Sequence, residues 1–238
     1  MTTTPALEIT DLHAWYGESH VLHGVTLSVM QGEVVTLLGR NGAGRTSTLR
    51  SILGLTGSRK GSIRIRGTET IHSPTYQIAH LGLGYCPEER GIFAGLSCEE
   101  NLLLPPTVGD TLGGGMSLAE IYDMFPNLYE RRHSPGTRLS GGEQQMLAVA
   151  RILRTGANLL LLDEISEGLA PVIVQALARM ITALKAKGYT IVMVEQNFRF
   201  AAPLADRFYV MEHGQIVEAF NADELTSKQE VLTTLLGV

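Results

Sequence analysis

Residues 39–50 read GRNGAGRTSTLR. A loop that grips phosphate asks for Gly, four free positions, then Gly-Lys-Ser/Thr, and Gly39, Gly44 and Thr46 meet that spacing. Position 45 is Arg where the pattern wants Lys. On these residues alone three readings stand: a working nucleotide loop with a different cation, a disabled loop, or a chance cluster of glycines. The flanks bear on the choice. Val34 to Leu38 is a continuous apolar run of the kind a strand covered on both faces shows, and Thr46 to Leu55 reads as a helix. In such a context successive backbone N–H groups converge on an anion, and the helix adds its positive N-terminal end. The spacing is not Gly-x-Gly-x-x-Gly, which disfavours a dinucleotide-binding turn.

A second stretch, LLLLDEISEGLAP (159–171), ends a buried apolar strand on two consecutive acids, Asp163 and Glu164. Adjacent buried carboxylates are costly unless a cation or a reaction uses them. Asp163 is read as a holder of Mg²⁺, with Thr46 supplying a hydroxyl to the same ion. Glu164 is read as the acceptor of a proton from attacking water. A solvated strand end would explain the acids equally well if the chain had no phosphate loop. A third stretch, RLSGGEQQMLAVARIL (138–153), places Ser140-Gly141-Gly142 at the start of a helix with an apolar face of Met146, Val149, Ala150 and Leu153. One helix N-terminus is already committed to phosphate, so a second suggests γ-phosphate binding in trans, across a dimer.

The rest of the chain supports an α/β reading. Short half-buried strands are expected at Leu7 to Ile9 and Val21 to Val29, and Ser62 to Ile71 should return to them as an antiparallel patch. Residues 92–156 are rich in helix formers, with Pro105-Pro106 and Gly113 to Gly115 as interruptions, and read as an inserted helical subdomain. Strands resume at Leu159 to Leu162 and Thr190 to Val194, around a helix opened by Pro171 with Ile173, Leu177, Met180, Ile181 and Leu184 on one face. Phe208 to Val210 and Gln215 to Val217 read as a hairpin turning at His213-Gly214, followed by an amphipathic tail from Ala222 to Leu236.

At 238 residues, with 44% hydrophobic and 18% charged residues, the chain is long and apolar enough for a sizeable core and is not disordered. A net charge of −5 argues against nucleic acid as a partner. Two cysteines, Cys86 and Cys98, make neither a disulfide framework nor a metal site. No secretory signal is visible at the N-terminus, and the apolar windows are too short to span a bilayer.

Leu139 to Gln145, LSGGEQQ, is similar to the signature of ABC-type ATPases, and in order with the phosphate loop and the acidic pair the match is highly specific. The whole chain most closely resembles the ATP-binding subunits of branched-chain amino acid importers. Those carry LSGGEQQMLA, GLAP after the acids, VEQN near the last core strand and PE before the helical subdomain. Here these are Leu139 to Ala148, Gly168 to Pro171, Val194 to Asn197 and Pro87-Glu88. The resemblance implies a P-loop NTPase core of the RecA-like kind (1–91 and 157–238), with an antiparallel β subdomain and an inserted helical subdomain (92–156). It implies that ATP is held by Gly39, Arg40, Asn41, Gly42, Ala43, Gly44, Arg45, Thr46 and Ser47, with Tyr16 stacked on adenine. Leu139, Ser140, Gly141, Gly142 and Glu143 would reach the nucleotide of a partner cassette, and Ser166 to Leu169 would cross the dimer interface. Glu88 occupies a position that usually offers Gln to Mg²⁺, and Gln196 the switch position that is commonly His. Gln cannot accept a proton near neutral pH, so the base assignment falls on Glu164. Ile165 stands where the family commonly has Pro.

With a family in view, chance no longer explains residues 39–46, and Arg45, which keeps the charge, is expected to hold phosphate and to permit hydrolysis. The implied partners are a second ATPase subunit, identical or not, two transmembrane permease subunits and an extracytoplasmic solute-binding protein. The implied place is the cytoplasmic face of the inner membrane. Importers of urea, amides or small carboxylates, and ABC ATPases that act as clamps without a permease, share the same motifs.

Overall fold

In a computed structural model, residues 4–106 and 114–236 are described. The first strands, β1 (Leu7–Tyr16) and β2 (Ser19–Val29), pair antiparallel, and β1 pairs on its other edge with β4 (Ser58–Ile65), which is followed by the short β5 (Thr68–Glu69). This four-stranded sheet has the order β2-β1-β4-β5. Alternation of Leu7, Ile9, Leu12 and Ala14 turns one face of β1 into a core shared with Val25, Leu27, Ile63 and Ile65. The expected antiparallel patch therefore exists, but its third strand starts four residues earlier than Ser62 and breaks at a turn carrying Arg66 with φ of 50° and Gly67.

The second sheet holds β3 (Val34–Gly39), β6 (Leu83–Cys86), β7 (Leu159–Asp163), β8 (Thr190–Val194), β9 (Arg207–Glu212) and β10 (Gln215–Asn221), in the order β10-β9-β3-β8-β7-β6. The pairs from β9 through β6 are parallel, and β10 joins as an antiparallel edge through the expected turn at His213-Gly214. Every residue of β3, β7 and β8 is buried, which is what helices on both faces of a parallel sheet require of its central strands.

Helices α1 (Arg45–Ile52) and α2 (Thr75–His80) precede α3 (Cys98–Leu103), α4 (Leu118–Met124), α5 (Pro126–Glu130) and α6 (Gly141–Arg154). Then come α7 (Pro171–Ala186), α8 (Phe198–Ala201) and α9 (Gln229–Leu236). Helix α1 stops at Ile52, short of the expected Leu55, because Gly54 adopts φ of 75° and the chain turns there. In the tail, Ala222–Glu224 forms a single 3₁₀ turn and the helix starts only at Gln229, packing Leu232 against Leu38, Phe208 and Phe220. Of the expected glycine loop, Gly113 lies outside the described residues.

Helix α6 packs between the helical segment and the sheet. Met146, Val149, Ala150 and Leu153 are buried as the periodicity requires, and they join Leu102, Ile121, Phe125 and Leu128 to the face of the parallel sheet at Leu160 and Leu162. Sheet and helices thus set the C-terminal ends of β3, β7 and β8 side by side. In open α/β sheets that edge is where ligands bind.

Candidate active site

Strand β3 lies between β9 and β8, so the loop after it emerges at the middle of the sheet. Two glycines fix its path. A Cβ on Gly39 would lie 2.6 Å from the carbonyl oxygen of Met211, and one on Gly44 would lie 3.1 Å from Gly214 at a φ of 107°. Gly44 then opens α1 with no side-chain cap, leaving the first-turn N–H groups directed at the cleft.

Strand β7 delivers the acids. Asp163, fully buried, accepts from Thr46 Oγ1 through Oδ1 and from the Tyr85 hydroxyl through Oδ2, both at 3.1 Å. Burial pushes its carboxyl up from the ordinary range, and those two hydrogen bonds pull it back. The next residue, Glu164, has φ of 49°, a left-handed backbone that bulky residues avoid, and its N–H donates to the Val194 carbonyl at 2.8 Å. That turn aims the carboxylate back over the glycine loop. Arg45 Nη2 donates to Glu164 Oε1 at 2.7 Å, with the two side chains 4% and 9% exposed. Burial alone would lower the guanidinium's affinity for its proton, and Glu164, Asp163, Glu195 and Glu88 act against that. Gln196 Nε2 donates to both Glu164 oxygens, at 3.1 and 3.0 Å.

One cleft of about 560 Å³ gathers the loop residues Asn41 to Ser47 with Glu88, Glu164 and Gln196. Glu88 reaches it from the end of β6. Tyr16 closes β1 at 38% exposure and is not part of this lining, and neither are Gly39, Arg40 or Asp163, which lies beneath Thr46. Leu139 to Glu143 are apart from it as well. Ser140 is an exposed N-cap of α6, in a reciprocal box with Glu143. Gly142 is required for packing, since a Cβ there would lie 2.7 Å from Ile173.

Three further residues belong to the site beyond those assigned to this cleft above. Glu167 and Val21 line the cleft, and Tyr85 holds Asp163. Beneath them Glu195 is buried and accepts from the Ser166 N–H at 3.2 Å and the Ser166 hydroxyl at 2.7 Å. Burial, reinforced by Glu164, raises the Glu195 carboxyl to about 7, against the pull of the Ser166 bonds and Arg45. The signal for Glu195 was an acid directly after the fully apolar Val192-Met193-Val194.

A glycine loop at the centre of a parallel sheet, an uncapped helix behind it and two consecutive acids at the end of β7, one strand removed from β3, define a nucleotide-binding cassette of the P-loop class. The model of the ABC transporter family matches residues 22–167. The chain is 38% identical over 231 residues to the high-affinity branched-chain amino acid transport ATP-binding protein BraG of Pseudomonas aeruginosa, covering 97% of this chain and 99% of that one. It is 31% identical over 233 residues to the probable branched-chain amino acid transport ATP-binding protein LivF of Archaeoglobus fulgidus, covering 98% and 99%. Among solved structures, an ATP-binding subunit of an ABC transporter superposes with a TM-score of 0.78 at 28% identity, over 98% of this chain and 95% of that one. The chain belongs to the ABC transporter family, as one of its ATP-binding, ATP-hydrolysing subunits.

Proposed function

We propose that this subunit hydrolyses ATP at the cleft lined by Arg45, Thr46, Glu164 and Gln196, with Asp163 beneath Thr46, and that it powers import of branched-chain amino acids. The observation that carries the site is that the cation and hydroxyl of α1 meet the two acids at the end of β7, Arg45 on Glu164 and Thr46 on Asp163, at a cleft lined by the glycine loop. The backbone N–H groups of 41–46 hold the phosphates and Arg45 neutralises them. Glu164 takes the proton of the attacking water as its oxygen bonds to the γ-phosphorus, and the bond to the β,γ-bridging oxygen breaks, so that ADP leaves. Gln196 keeps the carboxylate turned toward that water.

Thr46 Oγ1 and Asp163 Oδ1, 3.1 Å apart, are hard oxygen donors of the kind Mg²⁺ takes. Among the described residues there is no group of three His, Cys, Asp or Glu placed to hold a metal. A site with few protein ligands suits an ion completed by phosphates and water. Thr46 and Asp163 would hold it, with Glu88 at the cleft wall. The ion supplies neutralisation of the charge that develops on the phosphates.

In this reading Ser140 to Glu143, outside the cleft and with Ser140 exposed, meet the nucleotide of a second cassette, with Ser166 to Leu169 at the interface and Tyr16 against adenine. Residues 92–156 act as a helical subdomain on the core of 1–91 and 157–238, and transmit closure to two permease subunits at the cytoplasmic membrane face. No described helix is long and apolar enough to cross a membrane, so the solute path is assigned to those partners. Similarity to BraG and LivF over nearly the whole chain supports branched-chain amino acids as the solute. ATPase activity of the complex reconstituted with its binding protein tests this. Leucine, isoleucine or valine should stimulate it, whereas stimulation by urea, amides or short carboxylates alone would reassign the solute.

A further inference from the structure

Arg45 departs from the lysine of the phosphate-loop pattern, and its surroundings use what a guanidinium has and an ammonium lacks: two amino groups pointing in different directions from one plane. One of them, Nη2, is spent on Glu164. The other, Nη1, is buried without any hydrogen-bond partner on a residue only 4% exposed, and Arg45 lines the same cleft as the N–H groups of the glycine loop. An unpaired buried donor is costly and rare, and a phosphate oxygen admitted from the cleft past the atoms that cover Nη1 would satisfy it.

The other end of the ion pair is equally constrained. A carboxylate offers about four lone-pair sites. On Glu164, Oε1 accepts from Arg45 and Gln196 and Oε2 accepts from Gln196, so one site remains, on Oε2. Arg45 and Gln196 together fix the plane of the carboxylate and leave it a single direction in which to take a proton.

We propose that Arg45 is a two-armed positioning residue, with Nη2 orienting Glu164 while Nη1 binds the terminal phosphate of the nucleotide. One guanidinium then sets base and phosphate in register, a task a lysine nitrogen must leave to other groups. This rests on the assignment of the cleft to a triphosphate made above.

Arg45→Lys separates the two arms, because it keeps the charge and loses the fork. Affinity for ATP and KM should stay within tenfold of the parent, while kcat falls at least tenfold. A purely structural ion pair would not divide KM from kcat in this way. In single-turnover assays on a Glu164→Gln background, Arg45→Lys should change the residual rate less than twofold, since no base is left to orient. An unchanged or increased kcat in the single variant overturns the proposal while leaving the phosphate site intact. Arg45→Ala reports on the underlying assignment instead, which fails if ATP affinity is unaltered. Should the position 45 variants not fold, a crystal of the unsubstituted protein with a non-cleavable ATP analogue decides. Nη1 should lie within hydrogen-bond distance of a γ-phosphate oxygen with Nη2 still on Glu164, and a guanidinium that has left Glu164 contradicts the proposal.

Discussion

Glu195 grips Ser166 at both of its polar groups, taking the backbone N–H at 3.2 Å and the hydroxyl at 2.7 Å. The pair ties the turn after Glu164 to the strand end that carries Gln196, so one buried carboxyl braces both neighbours of the reacting centre. Its folded-state pKa of about 7 stands above the ordinary value of 4.5. Below the ordinary value the group is a neutral acid in folded and unfolded chains and carries no charge-burial cost. As pH rises toward 7 the unfolded chain releases the proton while the folded chain retains it, and stability is lost across that window. The loss amounts to about 3 kcal/mol at most. Glu195→Gln removes the titration, so its melting temperature relative to the parent should climb by several degrees between pH 5 and pH 8. Parallel curves for the two proteins would show that the carboxyl is not held in its neutral form.

Tyr85 orients Asp163, the acid that would hold the metal. Its hydroxyl donates to Oδ2 at 3.1 Å, opposite the Thr46 bond to Oδ1. Groups that orient a metal ligand typically contribute ten- to a hundredfold to affinity. Tyr85→Phe should therefore raise the Mg²⁺ concentration for half-maximal ATPase about tenfold, with nucleotide affinity in chelator unchanged. Equal Mg²⁺ dependence in the two proteins would remove Tyr85 from the site.

Gly84 is a packing residue in the strand that carries Tyr85. A Cβ there would lie 2.0 Å from Ile152 Cγ2 and 3.1 Å from Ala157 Cβ. Gly84→Ala should cost about 1–3 kcal/mol by overpacking, read in denaturant unfolding. Adding Ile152→Ala, which removes the clashing methyl, should make the glycine substitution nearly neutral in that background. A full cost in both backgrounds would locate the strain elsewhere.

Tyr16 sits at the end of β1, 38% exposed, beside Trp15, whose ring stacks on His20 at 4.3 Å. If its ring receives adenine, Tyr16→Ala should weaken ATP binding about tenfold, from stacking of roughly 1–3 kcal/mol. Binding of inorganic tripolyphosphate should be unaffected. An equal loss for both ligands would mean that the substitution damages the loop and not a base platform.

Local chemistry made much of this legible in the sequence. The glycine loop, the acidic strand end and the His213-Gly214 hairpin each need particular residue types within a few positions, and all three form where the pattern places them. The four leucines of β7 needed no alternation because both faces of that strand are covered. Strand β6 was missed. Leu83-Gly84-Tyr85-Cys86 is four residues long, contains a glycine demanded by Ile152, and carries no periodicity to find. With β6 went Tyr85. The Arg45–Glu164 pair spans 119 positions and the Ser166–Glu195 pair 29. Sequence reasoning could send Arg45 and Glu164 to the same nucleotide, yet not onto each other, because that contact depends on the left-handed backbone of Glu164 and on the order of strands β3, β8 and β7.

The central claim is that Glu164 is the base for ATP cleavage at this cleft. Phosphate release by the purified transporter complex carrying Glu164→Gln in this subunit, followed by identification of the nucleotide it retains, tests it most directly. Hydrolysis attributable to this subunit should disappear while intact ATP stays bound to it. Phosphate release at the parent's rate, or recovery of ADP from the variant subunit, would contradict it.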